Sequence, residues 1–166
     1  IQCMKNKYNI NYSFLLLIAF SLISGVYKEV FILLFCLFFH ELGHILFALI
    51  FRINIKKIEL HAYGIIANMD IDNSSKIRKF FVYSAGIIFN CILLLLIDNY
   101  EFDLFNKMLI LFNVLFIYPL DGYHIIYSLL ENDINDLKIF KISIYISIFM
   151  ILVLFVASIY TKTVAL

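Results

Sequence analysis

Hydrophobic positions along this chain come in long blocks, separated by short polar stretches that hold nearly all of the ionisable residues. Runs that are almost wholly apolar extend from Tyr8 to Tyr27, Val30 to Phe51, Phe80 to Ile97 and Ile142 to Thr161, each near the ~17–25 residues that a helix needs to cross a bilayer. A fifth, from Leu104 to Leu130, is interrupted. Between Phe51 and Phe80 the hydrophobicity breaks. Ile53 to Met69 mixes Ile, Leu, Tyr and Lys around Ala62-Tyr63-Gly64, which predicts two short strands turning near the glycine. The pattern predicts an all-α polytopic membrane protein, five transmembrane helices in one domain over residues 1–166, with a small β-hairpin insert at about 53–73. The hairpin's open edge could accept an extended peptide as an added strand, and a basic loop lying on lipid headgroups is the alternative.

Composition agrees with a membrane setting. Hydrophobic residues make up 64% and charged residues 15% of the 166 positions, against roughly 45–50% and 25% in soluble domains. Mean hydropathy is +0.97. The net charge of +1 gives no reason to expect a nucleic-acid partner. The placement of basic residues says more, because Lys and Arg accumulate on the cytoplasmic side. With five spans and the N-terminus inside, only Lys28, Lys107 and Lys162 of the 13 basic residues fall outside. A multi-pass protein of the cell membrane with a cytoplasmic N-terminus follows.

The first run has an alternative reading as a signal peptide, since Lys5 and Lys7 precede it and Ser21, Ser24 and Gly25 follow. Its length and the lack of a small-x-small ending favour a retained span. The sequence starts at Ile1, so Met4 could be the true start or the chain a fragment. Cys3, Cys36 and Cys91 show no paired spacing and predict no disulfide framework.

Within the second run stand His40, Glu41 and His44, reading His-Glu-Leu-Gly-His. Ionisable groups at membrane depth are costly and mark functional sites. Residues four apart share a helix face, so both imidazoles can reach one metal while Glu41 lies a quarter turn away as a general base. A hydrolytic zinc site needs a third protein ligand and an open position for water. Asp121 is the leading candidate: it follows Pro119, which breaks a helix and turns polar groups toward a cavity. His44 lies fourteen residues beyond Val30 and Asp121 fourteen beyond Lys107, so straight parallel helices would bring both ~21 Å inward from one surface. His124, His61 and Cys36 are rival ligands, and Asp121 has an alternative role as a helix cap. The other polar groups noted inside spans are Asn90 and Asn113.

Taken together, these residues resemble the site-2 protease family of intramembrane zinc metalloproteases, and most closely its small sporulation branch, the stage IV sporulation protein FB group. Phe39 to His44 with Ala48 is similar to the family's first motif. Asn113 through Pro119-Leu120-Asp121-Gly122 is similar to its second, and Ala85-Gly86-Ile87-Ile88-Phe89-Asn90 to its glycine-asparagine motif. The resemblance implies that His40, His44 and Asp121 bind Zn2+, that Glu41 activates water, and that Asn113 and Pro119 seat the substrate. Asn90 and the hairpin's Gly64 join them as substrate-binding candidates. It also implies a membrane-associated sigma factor precursor as substrate, inhibitory membrane partner proteins, and the mother-cell membrane around the forespore as location.

Departures are Tyr123 in place of a usual second glycine, Ile65 after Gly64, and Ile87 for a common proline. The sporulation branch usually continues with a sixth span and a nucleotide-sensing CBS domain, whereas this sequence ends at Leu166 after one span beyond the Asp121 segment, so the resemblance leaves regulation by ATP open. The competing functions are a catalytically silent zinc-binding membrane protein and a membrane metal transporter. A transporter would be expected to show an internal repeat or several ligand clusters. A silent protein would more readily have lost Glu41.

Overall fold

Two long helices carry the architecture. The computed structural model describes residues 8–61, 64–131 and 134–164. Its elements are β1 (Tyr8–Ile10), α1 (Tyr12–Ser24), α2 (Tyr27–Ile50), β2 (Ile55–His61), β3 (Gly64–Met69), α3 (Lys76–Leu96), α4 (Tyr100–Val114), α5 (Asp121–Leu130) and α6 (Asp136–Val164). Among the described residues, α2 and α3 are long and apolar enough to cross a membrane. The five expected spans are not matched one for one: α1, α4 and α5 have 13, 15 and 10 residues, short of the bilayer length.

The first apolar run is not one helix. Tyr8–Ile10 forms a strand that pairs in parallel with β2, Tyr8 opposite Ile58 and Ile10 opposite Leu60. Asn11 then caps α1, its side chain accepting from the Ser13 N–H at 3.0 Å. Gly25, at φ +77°, ends α1 in the left-handed conformation that glycine adopts at little cost.

The expected hairpin is present as antiparallel β2 and β3, with a register shift between Ile55 and Lys57. The Ala62-Tyr63 turn lies outside the described residues. The sheet order is β1-β2-β3, so β1 covers one side of the hairpin and β3 forms the other edge. Ala48, Ile53, Ile55, Ile71 and Val82 form a buried cluster that ties the sheet to α2 and α3. Ile32, Cys36 and Leu93, with Phe35, Phe39 and Phe102 against them, form a second cluster toward the start of α2.

Small residues let α2 and α3 approach closely, as in membrane helix pairs where packing rather than water exclusion holds helices together. A Cβ on Gly43 would come within 2.6 Å of the Ala85 carbonyl oxygen. The interrupted fifth run appears as α4, a non-helical stretch through Leu115–Leu120, and α5. Lys28 at the start of α2 pairs with Glu101 at the start of α4 at 3.0 Å, so the N-terminal ends of these two helices lie side by side. At the other end, Lys79 of α3 and Glu131 beyond α5 form an ion pair of 2.7 Å with both side chains 11% exposed.

Candidate metal centre

One helical turn separates His40 from His44 on the buried face of α2, which also carries Cys36, Gly43 and Ala48. That spacing lets both rings project toward α3 and α5, where the break before Asp121 delivers a carboxylate. Asp121 Oδ2 lies 2.9 Å from His40 Nε2 and 3.1 Å from His44 Nε2, and the two nitrogens are 3.2 Å apart. A tetrahedral face around an ion with ligand distances of ~2.0–2.1 Å has edges of ~3.3 Å. The observed triangle is a few tenths of an ångström smaller and of the same shape.

Tautomers decide what the triangle can hold. His44 Nδ1 is 2.7 Å from the Val82 carbonyl oxygen, which can only accept, so Nδ1 carries the hydrogen and the neutral ring presents a bare lone pair at Nε2. The amide of Asn90, fully buried on α3, faces His40 Nδ1 at 3.3 Å, while its Oδ1 has no partner. A half-turn of that amide makes Oδ1 the acceptor of an Nδ1–H and leaves His40 Nε2 bare as well. Asp121 Oδ2 is itself buried without a hydrogen-bond partner. Three lone pairs then converge on one point, an arrangement that favours a cation between them and disfavours an empty centre. The residues present fit a divalent metal. Among the described residues, His40, His44 and Asp121 are the group of side chains placed to hold one.

The surrounding backbone is fitted to this centre. A Cβ added to Gly86 of α3 would touch His44 Nε2 and stand 2.6 and 2.7 Å from His40 Cε1 and Nε2, so only glycine leaves the site open. A Cβ on Gly122 would run into the carbonyl oxygens of Val114 and Leu115, so glycine lets the start of α5 dock on the end of α4 and fixes where Asp121 points. Leu120 occupies the N-cap position of α5 without a side-chain cap, and Asp121 follows as the first helical residue. The cap reading of Asp121 is therefore replaced: its carboxylate faces the histidines.

A cavity of about 320 Å³ opens over the site, lined by Glu41, His44, Pro119, Asp121 and His124, with Ile66 to Met69 of β3 along one side. Glu41 and Pro119 thus share this space with two of the three ligand-forming residues. Asn113 does not line it. Its amide donates to the Leu109 carbonyl at 3.0 Å inside α4. Asn90 meets His40 rather than the cavity, and Gly64 opens β3, paired with His61.

None of the rival ligands joins the triangle, although His124 lines the same cavity. Cys36 is buried in the apolar cluster with Ile32 and Leu93, His61 lies on β2 near Glu59, and the ring of His124 stacks on Tyr83 with centroids 4.7 Å apart. The sequence reading missed Asn106. It is fully buried on α4 and donates from Nδ2 to the Asn90 main-chain oxygen at 2.8 Å, joining α4 to α3 behind His40. An asparagine within an apolar run was the available signal.

Comparison with known proteins agrees with this geometry. Residues 28–98, which hold both histidines, Glu41, Gly86 and Asn90 but not Asp121, match Peptidase family M50. No curated protein sequence matches the chain. The fold is similar to that of the site-2 protease from Methanocaldococcus jannaschii, with a TM-score of 0.60 and 26% identity over 99% of this chain and 87% of that one. The likeness extends past the family match to the α4–α5 region that supplies Asp121.

Proposed function

We propose that this chain is an intramembrane zinc metalloprotease that hydrolyses a peptide bond of a membrane-associated substrate. The observation that carries the reading is the convergence of His40 Nε2, His44 Nε2 and Asp121 Oδ2 within 3.2 Å, beneath a cavity that Glu41 also lines. When bound there, zinc supplies a Lewis acid that polarises a carbonyl and makes water acidic enough to be a nucleophile near neutral pH.

The remaining chemistry belongs to this chain's own groups. Glu41, adjacent in sequence to His40 and facing the same cavity, takes the proton from water and delivers it to the departing amide nitrogen. Two bonds change at the substrate: C–O forms, and C–N breaks. The Asn90 and Val82 contacts hold the two imidazoles in fixed orientation through the cycle. A substrate helix must unwind before attack, since its amides are satisfied internally. The edge strand β3, which runs along the cavity through Ile66 to Met69, is placed to pair with the released segment.

The resemblance to the sporulation branch makes a membrane-associated sigma factor precursor the proposed substrate, with inhibitory membrane proteins as partners and the mother-cell membrane as site. The test of the chemistry is Glu41→Gln with a co-expressed membrane-tethered substrate. The variant should retain metal and lose cleavage by ~10²-fold or more. Cleavage at the wild-type rate would remove Glu41 from the mechanism.

A further inference from the structure

Beside the cavity over Asp121 lies a second one of about 330 Å³, and the two share Tyr83 and His124 as a common wall. Its other walls are mainly aromatic. Tyr118 meets Tyr123 edge-on at 5.3 Å and Phe140 edge-on at 5.5 Å, and Tyr123 stacks on Tyr127 at 5.8 Å. Among the described residues the lining also holds two carboxylates, Asp72, ahead of α3, and Asp136, the first residue of α6. Among the described lining residues, Lys79 brings an ammonium group, and Glu131 takes it at 2.7 Å.

Charge and shape together select the occupant. With Lys79 and Glu131 neutralising each other, Asp72 and Asp136 give the cavity a negative balance, and aromatic faces attract cations through their quadrupoles. An anion would meet repulsion. A neutral side chain would gain apolar contact but nothing from the carboxylates. Asp72 lies just ahead of α3, a helix long and apolar enough to cross a membrane, and Asp136 opens α6. Lys and Arg are the side chains that flank such segments.

We infer that this second cavity is a subsite for a Lys or Arg side chain of the substrate near the scissile bond, selecting membrane peptides whose apolar segment is flanked by a basic residue. The inference rests on the protease reading for the identity of the ligand's carrier, and on the cavity alone for its preference for a cation.

Two measurements test it. The full chain labelled with 3-fluorotyrosine, in maltoside micelles, is titrated with N-acetyl-arginine amide, N-acetyl-norleucine amide or tetramethylammonium and followed by 19F NMR, with single Tyr→Phe variants assigning the resonances. The arginine compound should shift Tyr118, Tyr123 and Tyr127 saturably, the norleucine compound should not, and Asp72→Asn/Asp136→Asn should weaken the binding about tenfold. No shift in the wild type, equal affinity in the variant, or a response to tetramethylammonium alone, as a lipid headgroup would give, overturns the inference.

In the second, the zinc-loaded protein cleaves a panel of single-span peptides with Arg, Lys, Gln or norleucine at each flanking position. One offset should show a basic-over-norleucine ratio of kcat/KM that falls about tenfold in the double variant, a ratio that a purely structural effect would leave unchanged. Cleavage without basic preference overturns the subsite and leaves the protease reading intact. Arginine binding without cleavage of any peptide does the reverse.

Discussion

Replacing Gly86 by alanine is the smallest change that should abolish the metal centre without touching a ligand. The new methyl would touch His44 Nε2 and lie 2.6 and 2.7 Å from His40 Cε1 and Nε2. Non-bonded carbon contacts settle at ~3.5–4.0 Å, so the rings must retreat by about 1 Å. Metal sites tolerate ligand displacements of only ~0.2 Å. Loss of at least one imidazole follows, with zinc affinity falling by ~100-fold or more, above the ~10–100-fold typical of outer contacts. The helix itself gains, since alanine is favoured over glycine by ~1 kcal/mol in a helix interior, which partly offsets the ~1–3 kcal/mol of overpacking. The assay is zinc stoichiometry under a competing chelator, with thermal unfolding of the apo protein and cleavage measured alongside. Gly25→Ala serves as control: its φ of +77° costs stability, but nothing lies within 4 Å of the added carbon, and zinc should be retained. Wild-type zinc affinity in Gly86→Ala would refute the reasoning, as would zinc loss that tracks global unfolding.

Asn90→Leu should lower zinc affinity ~10–100-fold by removing the group that orients His40, whereas Asn113→Leu should leave zinc affinity unchanged; competition titration of both proteins reads the difference. Lys79→Met strands a carboxylate beside α5 and should destabilise the fold by ~3–5 kcal/mol. The double variant Lys79→Met/Glu131→Met should recover most of that loss, as measured by denaturant unfolding in micelles. Lys28→Ala breaks a solvent-exposed pair, and the unfolding midpoint should stay at the wild-type value.

How much of this was legible in the sequence follows from the range of the interactions. His40, Glu41 and His44 are linked by helical periodicity alone, and Pro119 before Asp121 marks a break in an apolar run, so the centre could be assembled from local signals. The hairpin was legible because its alternation stands between two apolar blocks. Tyr8–Ile10 was not. Asn9 and Asn11 alternate with Tyr8, Ile10 and Tyr12, but three residues are too few to separate a strand from the apolar run that follows, and only pairing with β2, some 50 residues later, makes it one. The shortness of α4 and α5 was equally hidden, because apolar composition gives no measure of where a helix stops. Asn90 was visible as a polar residue, but whether it faces a substrate or a histidine depends on how α3 rotates against α2. The Gly43 and Gly86 contacts set that rotation.

The most direct measurement of the central claim is the zinc content of purified wild type and of Asp121→Ala, by elemental analysis after dialysis against a weak chelator. The account predicts one zinc per chain in the wild type and well under half of that in the variant. One zinc retained in Asp121→Ala, or none in the wild type, would contradict it.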